Sequence, residues 1–219
     1  MTRIGRAVWN EIMPRGPVFT TAEVAEAARS SLPNASRDLA KLERLGMITR
    51  VRRGLWAITG HPEFSPYEVV PYLVPGEGET YVSFLSALNL HGMIDQIPRV
   101  IQVATRTQRS RLDTPVGSFE FHQIQGALFG GFGPYRRTGR FDMAGPEKAL
   151  FDTLYLSARK GRRFAHLPEL ELSKEFSVEE MEAWMERVEY RPLRTAVMER
   201  WARIAGSGTG RVATRRGGA

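Results

Sequence analysis

Apolar residues along the chain recur at two periods, and the change between them predicts the order of the elements. Between residues 33 and 45 they are spaced four, three and three apart, at Ala35, Leu39, Leu42 and Leu45. This spacing places them on one face of a helix. Proline suits the first turn of such a helix, and Gly46 suits the left-handed position after its end. The pattern predicts a helix over residues 33–45 with one packing face and one polar, cationic face.

After Gly46 the pattern changes to that of a short β-hairpin. Residues 48–52 alternate in type, Gly54 permits a turn, and residues 55–58 form an apolar return strand. Arg52 and Arg53 stand at the predicted tip. The sequence therefore predicts that the helix is followed directly by a hairpin with a basic tip.

Three shorter elements precede this helix. Periodic apolar residues predict helices over residues 3–13 and 21–28, with a short strand over 17–20 between them. The order helix, strand, helix, helix, hairpin is that of a winged helix-turn-helix, which we assign to residues 1–62. Such elements fold only by burying their apolar faces together. One small core is therefore predicted, formed by Trp9, Val24, Leu39, Leu42, Ile48 and Trp56.

The pattern of apolar residues over 63–204 predicts a larger α+β domain, in which helices flank a small sheet. Gly60, His61 and Pro62 interrupt the preceding pattern and mark the boundary. The predicted helices begin at Ser65, Ser83, Pro146, Ser177 and Leu193. The predicted strands cover residues 100–105, 117–124, 128–132 and 140–143. The last residues, 205–219, lack apolar content and predict a disordered basic tail.

Composition limits the class of protein. The 219 residues include no cysteine, which excludes disulfides and thiolate metal sites. No stretch reaches the roughly 20 apolar residues that cross a bilayer. The first 13 residues are too polar for a signal peptide. These features predict a cytoplasmic protein without contact to a membrane.

The net charge of +7 is concentrated at the two ends of the chain. Residues 1–62 contain ten basic and five acidic side chains, and the last 15 residues contain three arginines and no acid. An excess of cations in the predicted winged helix is expected if phosphates are the target. Within the larger domain, a second basic surface is predicted from Arg106, Arg109, Arg111, Arg136 and Arg137.

The polar face of the predicted helix and the hairpin tip carry residue types that recognise DNA. Asn34, Ser36 and Arg37 lie in the N-terminal half of the helix, and an arginine can bind guanine through two hydrogen bonds, so we assign Arg37 to base readout. Thr20 or Thr21, at a helix start, is assigned to a backbone phosphate. The other cationic side chains are assigned to phosphates or the minor groove; they are Lys41, Arg44, Arg50, Arg52 and Arg53.

Several segments of the chain, in this order, resemble the AbiEi family of antitoxins from type IV toxin–antitoxin (abortive infection) systems. They are SRDLAKLERLGMITRVRRGLWAI (36–58), YVSFLSALNLHGMIDQIPRVIQVAT (81–105), TPVGSFEFHQI (114–124) and GPEKALFDTLYL (145–156), with a weaker match at LPELEL (167–172). The first segment is generic to winged helices, whereas the second to fourth are specific.

This resemblance implies a transcriptional autorepressor and antitoxin. Its N-terminal winged helix would bind operator repeats upstream of its own operon, and its C-terminal domain would supply the antitoxin activity. The partner toxin of that family is a nucleotidyltransferase-like protein, usually countered without a stable complex. Since one winged helix covers only a short half-site, specific binding is expected to need a dimer or cooperative binding of several copies.

Two alternatives from other functional classes stay open. A charged helix face taken alone is commonly only a solvated surface, and some winged helices bind protein, so the chain could be an interaction module that holds a toxin or another partner. A nucleic-acid-processing enzyme would have to use Glu147 or Asp152, but Glu147 is also an ordinary first-turn acid. The histidines show no metal-ligand spacing. We therefore predict no catalytic residue, no metal and no cofactor.

Overall fold

A computed structural model of the chain describes residues 3–74, 80–159, 167–173 and 176–206. It is a mixed α+β protein with one three-stranded and one six-stranded sheet. Contacts between Cα atoms divide the chain into an N-terminal unit, Met1–Pro75 with Leu112–Ser118, and a C-terminal unit, Gly76–Arg111 with Phe119–Ala219. Among the helices of the described ranges, none has the length and apolar character to cross a membrane.

The N-terminal unit contains its elements in the predicted order. Its first helices are α1 (Arg3–Ala7), α2 (Thr21–Ala27) and α3 (Leu32–Arg44), and its first strands are β1 (Val18–Thr20), β2 (Thr49–Arg52) and β3 (Leu55–Ala57). α1 continues as a π-helical turn and then a 3-10 turn, which end at Arg15. The three strands form an antiparallel sheet with β3 in the centre and β1 and β2 at the edges.

The core of this unit lies between the helices and one face of the sheet. All six residues predicted to form it belong to one buried cluster or pack against that cluster: Trp9, Val24, Leu39, Leu42, Ile48 and Trp56. The prediction that Leu45 shares the packing face is wrong, because this residue is 71% exposed. α3 ends at Arg44, and Leu45 caps it outside the helical stripe.

The opposite face of the small sheet is also buried. Successive residues of a strand point to opposite faces, so Val18, Leu55 and Ala57 lie on the face away from the pair Phe19 and Trp56. All three are buried, although none belongs to the cluster that the helices form. Both faces of the three-stranded sheet are therefore buried.

A segment after the hairpin is hydrogen-bonded to both edge strands of this sheet. It is a 3-10 turn, Pro66–Val69, that leads into α4 (Val70–Leu73), and its residues Val69, Val70, Leu73 and Val74 are buried. Side-chain hydrogen bonds join it to β1 and to β2. The N-terminal unit therefore extends past the predicted boundary at residue 62, where glycine and proline marked only a turn.

The connection between α2 and α3 contains a strained residue. Arg29 has a φ of 47°, in the left-handed region that glycine adopts without steric cost. This conformation lets Ser30 N–H donate to the Ala25 carbonyl at 2.8 Å, which closes the end of α2 and redirects the chain into α3. A glycine commonly occupies such a position, and because Arg29 stands there instead, this turn could not be predicted from the residue types.

The six-stranded sheet is mixed. Its new strands are β4 (Thr80–Val82), β5 (Ile101–Thr105), β6 (Leu112–Thr114), β7 (Gly117–Gln123), β8 (Phe132–Pro134) and β9 (Asp142–Ala144), in the order β6-β7-β5-β4-β9-β8. β4 is antiparallel to β5 and parallel to β9, and β8 is antiparallel to β9. The later helices are α5 (Phe84–Leu90), α6 (Pro146–Arg159), α7 (Val178–Glu186) and α8 (Arg191–Gly206).

Most of the elements predicted after residue 62 are confirmed with small shifts. The strands predicted over 100–105 and 117–124 correspond to β5 and β7. The strand predicted over 128–132 is wrong, because a 3-10 turn occupies Gly126–Leu128 and β8 starts only at Phe132. α8 continues to Gly206, and the remainder of the predicted disordered tail lies outside the described residues.

Replacing the strained Arg29 with glycine should give a more stable protein than replacing it with alanine. We expect Arg29→Gly to be more stable than Arg29→Ala by about 1 kcal/mol, because alanine keeps the steric cost of the left-handed conformation and glycine removes it. Urea denaturation of both variants without DNA measures the difference. Equal midpoints for the two variants would show that Arg29 is not held in this conformation.

Candidate nucleic-acid interface

α3 presents a cationic face to solvent because its opposite face is fixed in the core. Ala35 and Leu39 are fully buried, and successive helical residues are 100° apart, so Arg37 and Arg44 point away from the core two turns from each other. The residues predicted to lie on the polar face are all exposed: Asn34, Ser36, Arg37, Lys41 and Arg44. The predicted division of α3 into a packing face and a polar face is confirmed.

The cations on this face differ in how far they are already paired. Lys41 Nζ lies 2.8 Å from Asp38 Oδ1, an exposed ion pair within the helix. Among the described residues, Arg44 donates only to the carbonyl of Ala40 in its own helix, at 3.4 Å. Within the described ranges, no hydrogen bond or ion pair is formed by the guanidinium of Arg37. Arg37 and Arg44 therefore carry the available positive charge of α3.

The hairpin of β2 and β3 is short and tightly turned. Arg52 pairs with Leu55, so Arg53 and Gly54 alone form the loop, and Gly54 has a φ of 79°. Such positive φ values are characteristic of two-residue hairpin turns. Arg53 is exposed at the tip. Within the described residues, the Arg53 side chain, like that of Arg37, forms no hydrogen bond or salt bridge.

Arg50 connects the hairpin to α3. Its guanidinium lies 2.9 Å from the Glu43 carboxylate on α3 and stacks over the ring of Trp56, 4.7 Å from the centroid. β2 therefore runs beside the C-terminal half of α3. Because Glu43 neutralises its charge, Arg50 serves first as a brace between the two elements, and the sequence did not reveal this pairing.

The assignment of Arg52 to phosphate requires correction. Its guanidinium donates to the carbonyl of Leu73 at 3.3 Å and also to the carbonyl of Tyr72. These acceptors lie at the end of α4, where helical carbonyls have no partner within the helix. Arg52 is therefore engaged inside the N-terminal unit.

The assignment of Thr20 or Thr21 to phosphate also requires correction. Thr20 caps α2 in a capping box: its hydroxyl accepts from Glu23 N–H at 3.2 Å and donates to the Glu23 carboxylate at 2.8 Å. The Thr21 hydroxyl is buried and accepts from the indole N–H of Trp56 at 2.8 Å. The Glu23 carboxylate thus already occupies the anion position at the start of α2.

The second basic surface corresponds to one edge of the six-stranded sheet. β5 and β8 run in the same direction, so the residues that follow each strand lie at the same edge, roughly 14 Å apart at three strand spacings of about 4.8 Å. All five predicted arginines are exposed there: Arg106, Arg109, Arg111 after β5 and Arg136, Arg137 after β8. Arg106 also stacks over Phe129, 4.5 Å from the ring centroid.

The carboxylates considered for catalysis have partners in the interior of the C-terminal unit. Lys148 and Asp152 form a fully buried ion pair one turn apart on α6. Tyr81 and Ser83 donate to the same carboxylate at 3.1 and 2.8 Å. Burial raises the pKa of Asp152 and lowers the pKa of Lys148, and each partner opposes the shift of the other. Glu147 accepts from the backbone N–H of Ser177 at 2.8 Å.

An apolar groove separates the last two helices. Met185 of α7 and Met198 and Trp201 of α8 line it, and Glu182, Glu186 and Glu199 also border it. Met198 is 49% exposed. This is an open, partly apolar surface with negative charge, opposite in sign to the exposed face of α3.

Comparisons with known proteins identify the fold alone. No protein-family model matches the chain, and no curated protein sequence matches it. Among solved structures, the crystal structure of the RV2827C protein from Mycobacterium tuberculosis is similar, with a TM-score of 0.55 and 18% sequence identity. The match covers 97% of this chain and 78% of that one.

The buried ion pair should be essential to the fold of the C-terminal unit. We expect Asp152→Ala to lower the free energy of unfolding by roughly 3–5 kcal/mol, because it leaves the Lys148 ammonium buried without its partner. The double replacement Lys148→Met with Asp152→Leu should recover much of this loss. Urea denaturation measures both. A loss for Asp152→Ala below about 1 kcal/mol, as for an exposed pair, would contradict this role.

Proposed function

We propose that the chain is a sequence-specific DNA-binding protein whose N-terminal unit is a winged helix-turn-helix, with α3 as the recognition helix and the β2–β3 hairpin as the wing. The observation that carries this proposal is the exposed guanidinium of Arg37, which has no partner among the described residues and is fixed outward by the burial of the opposite face of α3. An α-helix fits the major groove of B-DNA, and a bidentate arginine contact reads guanine.

The wing supports the same interpretation. Arg53 lies at the tip of a two-residue loop, and Arg50 holds the hairpin beside α3 through Glu43. A thin basic tip next to a recognition helix can enter the narrow minor groove or contact phosphates. The contacts with DNA are therefore assigned to Arg37 for bases and to Arg44 and Arg53 for phosphates, with Asn34 and Ser36 near the bases and Lys41 at the margin.

We further propose that binding represses the protein's own operon and that the protein acts as an antitoxin without a cofactor. This part of the proposal depends on the resemblance to the AbiEi family in residues 36–156. The partner would be a nucleotidyltransferase-like toxin. The basic edge of the six-stranded sheet would add affinity for DNA, and the site of action would be the cytoplasm.

Arg37 should determine sequence preference. We expect Arg37→Ala to weaken binding to the protein's upstream region by roughly 1–3 kcal/mol and to relax preference at one base pair. Fluorescence titration against this region and a scrambled duplex measures both effects. The matched control is Arg191→Ala, which removes the same charge from an exposed site on α8. If Arg37→Ala bound the upstream region with the same affinity as Arg191→Ala, the assignment of Arg37 to base readout would be refuted.

Arg44 should contribute through charge alone. We expect Arg44→Ala to weaken binding to both duplexes alike and to reduce the slope of log affinity against log salt by about 0.9, the value for one phosphate contact. Titrations at two salt concentrations give this slope. A loss confined to the upstream region would instead indicate that Arg44 contacts a base.

The groove between α7 and α8 supports a second candidate function, binding of a protein partner. Its apolar floor and acidic border fit a basic amphipathic helix. We expect Met198→Glu to abolish binding of the purified product of the neighbouring gene in calorimetry while leaving DNA binding unchanged. Thr195→Glu, exposed on α8 outside the groove, is the control. Unchanged partner binding by Met198→Glu would exclude the groove.

A further inference from the structure

Arg52 stands next to the wing tip but is directed away from it. Its guanidinium donates to two successive carbonyls, those of Tyr72 and Leu73. The planar guanidinium carries several N–H donors in a fixed geometry, which suits two neighbouring acceptors better than the single ammonium of lysine does. Leu73 is buried, so its carbonyl has little access to water as an alternative donor.

A second bond joins the same segment to the other edge of the small sheet. The Tyr72 hydroxyl donates to the carbonyl of Val18 in β1 at 3.4 Å. Burial raises the pKa of Tyr72, as do the nearby carboxylates of Glu23 and Glu68, so the hydroxyl remains a protonated donor at neutral pH. Residues 66–74 are thus bonded to β1 through Tyr72 and to β2 through Arg52.

We propose that Arg52 is a positioning residue for DNA binding. It holds the wing strand β2 against residues 66–74, and this contact fixes the direction in which the tip presents Arg53. Arg52 itself does not contact DNA. The segment 66–74, which follows the wing in the chain, consequently belongs to the DNA-binding unit, because it holds the wing in position. The proposal rests on the proposed function of the N-terminal unit.

The geometry separates this role from a direct phosphate contact. A side chain that binds phosphate adds a charge to the interface, so its removal lowers the salt dependence of binding. A side chain that only orients the wing acts through the phosphate contact of Arg53, so its removal adds nothing to the change in salt dependence that removal of Arg53 already causes. Arg53, the next residue and a cation with no partner in the described part of the chain, provides the matched comparison because Arg53→Ala removes the same charge from the tip.

The first test uses the full-length protein and its upstream duplex at two salt concentrations. We expect Arg52→Ala to weaken binding about tenfold, as for loss of a charged hydrogen bond, and to leave the salt slope unchanged when it is added to Arg53→Ala. Arg53→Ala should lower the slope by about 0.9. Arg52→Lys should retain part of the affinity, because lysine can donate to one of the two carbonyls. A further fall of about 0.9 in the slope when Arg52→Ala is added to Arg53→Ala would overturn the proposal, because it would show a phosphate contact of Arg52 itself.

The second test needs no DNA. Amide hydrogen exchange in the free protein should speed up in residues 66–74 for Arg52→Ala and stay unchanged there for Arg53→Ala. Unchanged exchange in Arg52→Ala would overturn the proposal even if DNA binding falls. If the wild-type protein binds the upstream and scrambled duplexes equally, the proposed specificity fails, whereas faster exchange in Arg52→Ala still supports the contact between wing and segment.

Discussion

The indole of Trp56 is the contact on which the N-terminal unit depends. Its ring lies in the centre of the three-stranded sheet and is 1% exposed. Its N–H donates to Thr21 at the start of α2, and its face receives the guanidinium of Arg50, which in turn pairs with Glu43 on α3. One side chain thus fixes the position of α2, of α3 and of the wing strand. A buried indole N–H without an acceptor would cost free energy, so the Thr21 hydroxyl is needed as the acceptor for Trp56.

This arrangement explains which parts of the interface the sequence could predict. The periods of α3 and of the hairpin are local properties, and they identified the exposed face, the packing face and the tip. The partner of a charged side chain is a property of the tertiary fold. Glu43 could be assigned to Arg50, and the α4 carbonyls to Arg52, only once the strands were aligned. Sequence reasoning therefore found where the cations lie and overestimated how many are available.

The C-terminal unit shows the same limit in its core. β4 is three residues long, too short to display an alternating pattern, and it was not predicted. The spacing of Lys148 and Asp152 is also that of an ordinary exposed helical pair. Only the packing of Tyr81, Phe151 and Trp184 around the ammonium reveals that this pair is fully buried. Such a pair is costly if broken, and it makes the fold of this unit sensitive to a single charge.

The number of free cations also limits how one copy can bind. Of the exposed arginines on α3 and the hairpin, Arg50 pairs with Glu43 and Arg52 with the α4 carbonyls, which leaves Arg37, Arg44 and Arg53 in the described structure. In the proposed function Arg37 contacts bases while Arg44 and Arg53 contact phosphates, and two phosphate contacts would give a salt slope of only about 1.8. Two such contacts would supply only a small part of the phosphate affinity that the proposed DNA binding needs at physiological salt. Further charge has to come from a second copy on a neighbouring site or from the arginines at the edge of the six-stranded sheet. Either source would make the proposed DNA affinity a property of the whole assembly, with sequence preference assigned to α3.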